Sequence, residues 1–310
     1  MSARPPAAPI VLSLTLAVFL WGGNNVALKQ MMNVWTPAWT GSTRFLVAGL
    51  LLLGLIRWTN WFGPIPPPSP ALRRALWWRG GLLMATYIVL CNAALRFIPA
   101  SHFALELALS PIWALLLEGG VLSTRDRLRR WTAAALAFSG VAILLWPSLR
   151  RNADSHWFGE LLGLASGWFW TLHSRQGKAL AEGWSGTAVA AHSMWRAGIL
   201  LLPIALIELV VAGKLPSITP NLIGLQLYCI VLGGVIPFTL WNQCLARWPV
   251  SRVALFGNLI PGSTMAWAAA LGFEHPSPTF GLAMAFIIAG VVVGQLNWER
   301  TFARFWMPEE

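Results

Sequence analysis

Ten apolar stretches run along this chain, and the second five repeat residues of the first five at a fixed offset of 150 positions. Over positions 92–141, twelve of the fifty residue pairs at this offset are identical, and no gap is needed. The pairs include Asn92/Asn242, Pro99/Pro249, Pro111/Pro261 and Gly140/Gly290. A unit with an odd number of spans enters a bilayer from the opposite side at its second copy. The repeat therefore predicts two halves of inverted orientation.

The composition makes lipid the solvent for most of the surface. Apolar residues form 56% of the chain and charged residues only 11%, whereas a soluble domain carries about 25% charged residues. A net charge of +11 would indicate nucleic acid in a soluble protein, but here the basic residues lie at the ends of apolar stretches. We therefore expect the lipid bilayer and a small-molecule solute as partners, and no nucleic acid. The sequence is compatible with a monomer and with a homodimer.

The expected fold is an all-α polytopic membrane protein with ten transmembrane helices, arranged as two inverted five-helix repeats. About twenty apolar residues cross a bilayer as a helix. The two halves are residues 1–150 and 151–310. The spans are expected near 10–29, 37–56, 77–96, 100–122, 131–147, 157–175, 187–211, 221–245, 250–272 and 278–297.

The distribution of Lys and Arg predicts the orientation of the spans. If the N-terminus is cytoplasmic, the inner side carries fifteen of these residues and the outer side five, while Arg44 and Arg196 lie within spans. Cytoplasmic segments are enriched in Lys and Arg. Both termini are therefore predicted to be cytoplasmic.

Polar side chains inside the spans are candidates for a binding site, because ionisable groups at membrane depth usually face a cavity or a partner. The fourth span has His102, Glu106, Ser110 and Trp113 on one helical face. Glu106 could bind a solute or a proton, or it could form a structural pair with His102 or with Arg96. The further polar candidates are Asn24, Asn25, His173 and Asn258.

Tryptophan is unusually frequent, with 20 residues. Most lie near span ends, where indole rings favour the headgroup region. An indole N–H deeper in the membrane needs a partner or a wet cavity, so the deeper residues predict a central pocket with tryptophan walls. The candidates for solute contact among them are Trp21, Trp113, Trp168 and Trp195.

Four residues are predicted hinges. Pro111 and Pro261 interrupt the fourth and ninth spans at equivalent places, and Gly22 and Gly23 lie in the first span. No cofactor or metal site is expected, because the three cysteines lie in apolar stretches without metal-ligand spacing. No H-E-x-x-H arrangement is present, and both Asp residues lie in loops. The sequence therefore does not predict an enzyme.

Several motifs resemble the EamA family of the drug/metabolite transporter superfamily. Trp21-Gly22-Gly23-Asn24-Asn25-Val26-Ala27-Leu28-Lys29 resembles the first-span signature of that family. Further similar motifs are Arg44-Phe45 in the second span, Ala94-Leu95-Arg96-Phe97-Ile98-Pro99-Ala100 at the third-to-fourth junction, and Pro261, Gly272-Phe273-Glu274 and Gly290-Val291 in the closing part of the repeat. The first half departs from the pattern, since Ser123-Thr124 stands where the second half has Phe273-Glu274.

The resemblance implies a transporter in the bacterial cytoplasmic (inner) membrane. Relatives in this family export amino acids and other metabolites, and the YddG-like branch handles aromatic amino acids and hydrophobic cations. We therefore expect export of aromatic or other apolar amino acids, or of similar small amphipathic metabolites, by alternating access. A multidrug exporter for hydrophobic cations is the alternative. Proton coupling and facilitated diffusion both fit the sequence.

Overall fold

The computed structural model describes residues 7–117, 124–150, 156–182, 184–213, 215–245, 247, 253 and 256–295, and over these residues the fold is all-α. The helices are α1 (Ala7–Met32), α2 (Pro37–Trp58), α3 (Pro70–Ala75, Leu76–Leu82 and Leu83–Phe97), α4 (Ala100–Leu107 and Ser110–Leu117), α5 (Thr124–Arg150), α6 (His156–Ala181), α7 (Gly186–Ala212), α8 (Pro220–Ile230, Val231–Val235 and Ile236–Leu245), α9 (Ile260–Ala270) and α10 (Pro278–Gln295).

Each predicted span overlaps one of these helices. Within the described residues, six helical stretches are long and apolar enough to cross a membrane, and they belong to α1, α2, α3, α4, α7 and α8. A shorter apolar helix covers Pro278–Gly294. The prediction of an all-helical membrane protein is thus confirmed. α3 begins at Pro70 rather than near 77, and α5 begins at Thr124 rather than near 131. Residues 118–122 of the predicted fourth span, 250–252 and 254–255 of the ninth and 296–297 of the tenth lie outside the described residues.

Proline and hydroxyl residues mark the helix starts. Pro70 and Pro220 are the first residues of α3 and α8, where a missing N–H costs nothing. The preceding hydroxyl accepts a backbone N–H, with Leu72 N donating to Ser69 Oγ over 3.2 Å and Leu222 N donating to Thr219 Oγ1 over 3.3 Å. α7 ends at Gly213, whose φ of 62° is the left-handed conformation that favours glycine.

The third helix of each half contains a π-helical turn that the sequence analysis did not predict. These turns are Leu76–Leu82 in α3 and Val231–Val235 in α8. Each contains a pair of glycines, Gly80-Gly81 and Gly233-Gly234. Such turns inside an α-helix are frequent at functional sites.

The fourth helix of each half is interrupted where proline predicted a break. Ala108 and Leu109 form a turn within α4, and Asn258 and Leu259, 150 positions later, form the turn before α9. Pro111 cannot donate to the carbonyl of Leu107, and the hydroxyl of Ser110 donates to that oxygen instead. The predicted interruptions are therefore present.

α2 and α7, the second helices of the two halves, pack against each other in antiparallel directions. Glu208, near the end of α7, accepts the backbone N–H of Ala38 at the start of α2 over 2.9 Å. Further along, Ser42 Oγ donates to Gly198 O over 2.8 Å, and a Cβ atom at Gly198 would lie 2.5 Å from Leu46 N. Glycine at position 198 thus lets the two backbones approach closely.

α5 and α10, the fifth helices of the two halves, also pack in antiparallel directions. A glycine of each helix lies where the two backbones come closest. A Cβ atom at Gly140 of α5 would lie 2.7 Å from Ala283 O of α10. A Cβ atom at Gly290 of α10 would lie 2.6 Å from Ala133 O of α5. These two glycines are one of the repeated pairs, so the same residue serves the same close approach in both halves.

Contacts between connecting segments show which segments share a side of the helix bundle. Trp35 Nε1, after α1, donates to Ser217 O, after α7, over 2.7 Å. The backbone N–H of Ala100, at the start of α4, donates to Glu274 Oε1, after α9, over 2.8 Å. Trp184 Nε1, after α6, donates to Pro66 O, after α2, over 2.8 Å.

Candidate functional site

Aromatic rings from both halves meet where α1, α3, α6 and α8 come together. We call Trp21, Tyr87, Trp170, Phe238 and Trp241 the central aromatic group. Trp21 contacts Phe238 and Trp241 with ring centroids 5.5 and 5.1 Å apart. Trp170 contacts Tyr87 at 5.0 Å and Phe238 at 6.3 Å, so one ring of α8 bridges the two tryptophans.

Part of the central aromatic group repeats between the two halves of the chain. Trp21 and Asn24 of α1 stand 149 positions before Trp170 and His173 of α6. One helical turn separates the ring from the polar residue in each pair. The first and sixth helices therefore place the same pattern, a tryptophan followed by a polar side chain, at the meeting point of the halves.

The two polar side chains of this pattern carry buried atoms without partners. Asn24 and His173 are 5% and 7% exposed. Asn24 Oδ1 and His173 Nδ1 make no hydrogen bond among the described residues. Asn24 lies against Gly233 of the π-helical turn in α8, and His173 lies close to the backbone of Gly80 in the turn of α3. Buried unsatisfied polar atoms are rare in proteins and commonly mark a ligand or water site.

The two membrane-embedded arginines contact the same turns. Arg44 Nε donates to Cys229 O over 3.1 Å, and its Nη2 donates to Gly233 O over 3.4 Å, so this guanidinium binds one carbonyl just before the π-helical turn of α8 and one within it. Arg196 of α7 packs on the turn of α3, where a Cβ atom at Gly81 would lie 2.8 Å from Arg196 Cβ. Each arginine thus links the second helix of one half to the third helix of the other.

A second polar group, the acidic cluster of His102, Glu106 and Glu160, lies between α4 and α6. Glu106 and Glu160 are 0% and 1% exposed. His102 Nδ1 lies 2.8 Å from Glu160 Oε1. The sequence analysis offered His102 or Arg96 as structural partners of Glu106. That alternative is wrong for the described residues, because His102 pairs with Glu160, a residue that the analysis did not select, and Arg96 is exposed.

Two predicted tryptophans lie next to this cluster. Trp113 and Trp168 contact edge to face with centroids 5.4 Å apart, and Trp113 also contacts Phe138 of α5 at 5.1 Å. Trp113 Nε1 is buried and makes no hydrogen bond among the described residues. The indole lies beside Gly167 of α6, where a Cβ atom would be at ordinary van der Waals distance, 3.5 Å, from Trp113 Nε1.

Trp195 belongs to a third group, on α7 and α3. Its Nε1 donates to His192 Nδ1 over 3.1 Å, and Arg196 Nη1 lies 2.9 Å from the same nitrogen. The Arg196 guanidinium lies 4.2 Å from the Trp195 ring centre and 5.3 Å from that of Trp77. Trp195 is therefore engaged with side chains of its own region and does not contact the rings of the central aromatic group.

The remaining predicted residues pack α1 against α9 and α8. Asn25 Nδ2 donates to Thr264 Oγ1 over 3.2 Å. A Cβ atom at Gly22 would lie 2.7 Å from Ser263 Cβ, and one at Gly23 would lie 3.1 Å from Trp267 Cε2. α1 continues through both glycines, so these residues permit close packing in the conformation described. Asn258, 9% exposed, lies in the turn before α9.

Among the described residues no tryptophan-walled hollow is seen, because the rings of the central aromatic group contact one another. A cleft does open elsewhere, at the end of α6. Its lining includes Pro66, Pro67, Leu72, Ala179 and Trp184. The sequence analysis missed Tyr87, Phe238 and Glu160. The shift of the repeat from 150 to 149 positions between α1 and α6 was the signal that could have placed Trp170 beside Trp21.

Comparison with known proteins supplies relatives along nearly the whole chain. The uncharacterized inner membrane transporter YedA of Escherichia coli K12 is 23% identical over 292 residues. This match covers 93% of the present chain and 91% of the YedA chain. A probable amino-acid metabolite efflux pump of Salmonella typhimurium is 25% identical and covers 90% of this chain and 92% of its own. A probable terminal-alkyne amino-acid exporter of Streptantibioticus cattleyicolor is 25% identical, with coverage of 91% and 92%.

A solved structure with the same fold and a family profile also match this chain over nearly its whole length. One crystal structure superimposes with a TM-score of 0.62 at 19% identity, over 94% of this chain and 98% of that chain, and so shares the fold. The profile of the EamA-like transporter family matches twice, at residues 8–146 and 157–294. Two matches of this length span both halves, and this multi-pass membrane protein therefore belongs to the EamA-like transporter family.

Proposed function

We propose that the chain forms ten spans in two inverted halves, residues 1–150 and 151–310, with both termini on the cytoplasmic side of a bacterial inner membrane. The antiparallel packing of α2 on α7 and of α5 on α10 supports inversion, because equivalent helices of two parallel halves would point the same way. The contact of Trp35 with Ser217 supports it independently. Because of this contact, we assign the connection between α7 and α8 to the same side as the connection between α1 and α2. The equivalent connection of the first half, between α2 and α3, lies on the opposite side, because α2 crosses the membrane between them.

We infer that the protein exports aromatic or other apolar amino acids, or similar small amphipathic metabolites, by alternating access. The observation that carries this proposal is the central aromatic group with the unpaired atoms of Asn24 and His173, built from equivalent positions of the two halves. Solute sites of secondary transporters lie near mid-membrane between repeats. The names of the relatives from Salmonella typhimurium and Streptantibioticus cattleyicolor support amino acids as the class of solute.

The chemistry of this centre fits a zwitterion with an apolar side chain. An ammonium group over an indole or phenol face gains about 0.5–2 kcal/mol. The unpaired Oδ1 atom of Asn24 is an acceptor and offers a contact to the ammonium group. His173, with the proton on Nδ1, offers a donor to the carboxylate once the rings separate. Trp21 and Trp170 would then bracket the apolar side chain.

The other predicted residues take supporting places in this proposal. Trp113 and Trp168, beside the acidic cluster, and Asn25, Asn258 and Trp195 make no hydrogen bond or ring contact with the central aromatic group in this conformation, and in the proposal they contact the solute only at other stages of the cycle. Rocking of the halves would use Gly22 and Gly23 as compliant points in α1 and the breaks at Pro111 and Pro261 in α4 and α9.

A hydrophobic cation is the second candidate solute, and one observation favours it. The acidic cluster contains two buried carboxyl groups, Glu106 and Glu160, and neither faces a Lys or Arg side chain within the described residues. Buried carboxylates of this kind could hold an organic cation. The two candidates differ in which compounds compete for transport.

The test is counterflow of radiolabelled L-phenylalanine in liposomes that contain the purified protein. We expect excess L-leucine and L-tryptophan to suppress it, and methyl viologen, L-lysine and L-glutamate to have little effect. Trp21→Ala and Trp170→Ala should each reduce counterflow at least tenfold. Trp58→Ala, at a ring that is 85% exposed, is the matched control and should leave it unchanged.

The outcomes separate the candidates. Competition by methyl viologen but not by L-leucine would replace the amino acid with the cation. Wild-type counterflow by Trp21→Ala and Trp170→Ala proteins would rule out the central aromatic group as the site for either solute.

A further inference from the structure

The acidic cluster contains a carboxyl group that nothing in its surroundings neutralises. Both oxygens of Glu106 and the Oε2 atom of Glu160 lack hydrogen-bond partners among the described residues. The two carboxyl groups belong to the same small region, because Glu106 packs against Gly163, one helical turn after Glu160 on α6, and no hydrogen bond joins them. Glu106 points at α6 where Gly163 leaves room for it, since a Cβ atom at Gly163 would lie 2.6 Å from Glu106 Cδ.

Within the part of the chain that the structure describes, the helices around Glu106 bring no Lys or Arg side chain to it. α9 and α10 have no titratable side chain between Ile260 and Ala270 or between Pro278 and Gln295, and α5 has none from residue 131 to 149. α1 contributes Lys29, which interacts with Glu274. α3 contributes Tyr87, Cys91 and Arg96, and Arg96 is exposed. On α4 and α6 the neighbours are His102 and Glu160 themselves.

Elementary electrostatics then fixes the charge of the pair. A buried carboxylate without a partner costs several kcal/mol, even after the protein relaxes. Two carboxyl groups that share one site cannot both ionise easily, so one of them keeps its proton. Glu160 has a partner, the His102 imidazole 2.8 Å away, whereas neither oxygen of Glu106 has one. The proton therefore belongs on Glu106.

The geometry also brings one member of the cluster close to water. The His102 side chain is 24% exposed, whereas Glu160 is 1% exposed. His102 lies two residues after Ala100, whose backbone N–H binds Glu274 in the segment between α9 and α10. In the proposed topology this end of α4 faces the outside. His102 is thus the member of the cluster that a proton from the outer side would meet first. Its passage from Glu160 to Glu106 requires a rearrangement, because no hydrogen bond joins the two carboxyl groups in this conformation.

We propose that His102, Glu160 and Glu106 form a proton-binding site that couples proton uptake from outside to solute export. The proposal rests on the transport function inferred above. In each cycle one proton binds Glu106 from the outer side and leaves it on the cytoplasmic side, while one solute moves outward. The helix break at Ala108 and Leu109, within one turn of Glu106, is the place where water would reach it from the cytoplasmic side. For a zwitterionic solute each cycle carries one positive charge inward.

The first test observes the proton without any solute. Infrared difference spectra of the purified full-length protein across a pH titration report the C=O band of a protonated carboxyl group. We expect such a band at neutral pH, its loss in Glu106→Gln, and its retention in Glu182→Gln, which changes an exposed carboxyl after the same helix α6. Glu160→Gln should shift the band, because it removes the neighbouring charge. A spectrum at neutral pH that Glu106→Gln leaves unaltered would overturn the proposal.

The second test observes coupling in liposomes with an acidic lumen and a clamped membrane potential. A pH gradient of one unit supports accumulation of up to about tenfold for one proton per solute. We expect wild-type protein to accumulate radiolabelled L-phenylalanine in the lumen. Glu106→Gln should lower gradient-driven accumulation at least five times more than it lowers exchange at equal pH, and Glu182→Gln should change neither.

Failure of this proposal is distinguishable from failure of the proposed function. If wild-type protein exchanges L-phenylalanine but does not accumulate it, or if Glu106→Gln accumulates it like wild type, coupling through Glu106 is wrong and the transport function stands. If wild-type protein does not exchange L-phenylalanine at all, the solute assignment fails. The infrared titration then decides the proton site by itself.

Discussion

Replacing Gly198 by Ala tests the packing that joins the two halves through α2 and α7. The new Cβ atom would lie 2.5 Å from the backbone N of Leu46 and 2.7 Å from its Cα atom. Ordinary van der Waals contact begins at 3.4 Å, so the helices would have to separate by roughly 0.9 Å at this point. Because the obstacle is backbone, no side-chain rotation relieves it. Overpacking of this kind costs about 1–3 kcal/mol.

The same displacement weakens the hydrogen bond from Ser42 Oγ to Gly198 O, now 2.8 Å long, which contributes about 1 kcal/mol. We therefore expect Gly198→Ala to lower the free energy of unfolding by about 2–4 kcal/mol. An unfolding titration of the purified protein in mixed micelles with increasing sodium dodecyl sulfate measures this quantity.

Gly224→Ala is the matched control, because no atom lies within 4 Å of a Cβ at this position of α8. It should leave stability unchanged or raise it slightly, since alanine has the higher helix propensity. Equal unfolding midpoints for the two variants would refute the close approach of α2 and α7.

Three further predictions address the turns, the breaks and the tryptophan pair. Arg44→Lys keeps the charge but loses the fork that reaches Cys229 O and Gly233 O, so it should lower the free energy of unfolding by about 1.5–3 kcal/mol; wild-type stability would contradict the role of Arg44 on the π-helical turn. Pro111→Ala restores a backbone donor and should straighten α4, so L-phenylalanine exchange should slow without loss of stability; unchanged exchange would remove Pro111 from the hinge. Trp168→Ala removes the edge-to-face contact with Trp113 and should reduce counterflow, while Trp157→Ala, at a ring that is 50% exposed, should not.

The helices and the breaks were predictable because their causes are local. Hydrophobic length and the prolines at 37, 220 and 278 placed the starts of α2, α8 and α10 within about one residue. The start of α3 was placed near 77, seven residues after its first residue, Pro70. Pro111 and Pro261 predicted interruptions because a missing N–H cannot be supplied from elsewhere in the helix. The start of α5 was placed too late, because its charged first turns are polar enough to resemble a loop.

The candidate site was only partly predictable because its decisive contacts join distant segments. Glu160 stands near a span end, where a carboxylate usually reaches water, and only the fold brings it to His102, 58 positions earlier in the chain. Each π-helical turn contacts an arginine of the opposite half, Arg44 at the turn of α8 and Arg196 at the turn of α3. The hydrophobic pattern within α3 and α8 does not predict the π-helical turns. The two glycine pairs at these places were the only visible feature of the sequence there.

The most direct test of inverted halves is the sidedness of two equivalent connections. Asn60 lies between α2 and α3, and Leu215, 83% exposed, lies between α7 and α8. Single cysteines at these positions, in a chain whose buried Cys91, Cys229 and Cys244 are replaced by alanine, would be treated with a membrane-impermeant maleimide in intact cells. The account predicts that Leu215→Cys reacts at once and Asn60→Cys only after the membrane is permeabilised. Reaction of both cysteines from the same side would contradict it.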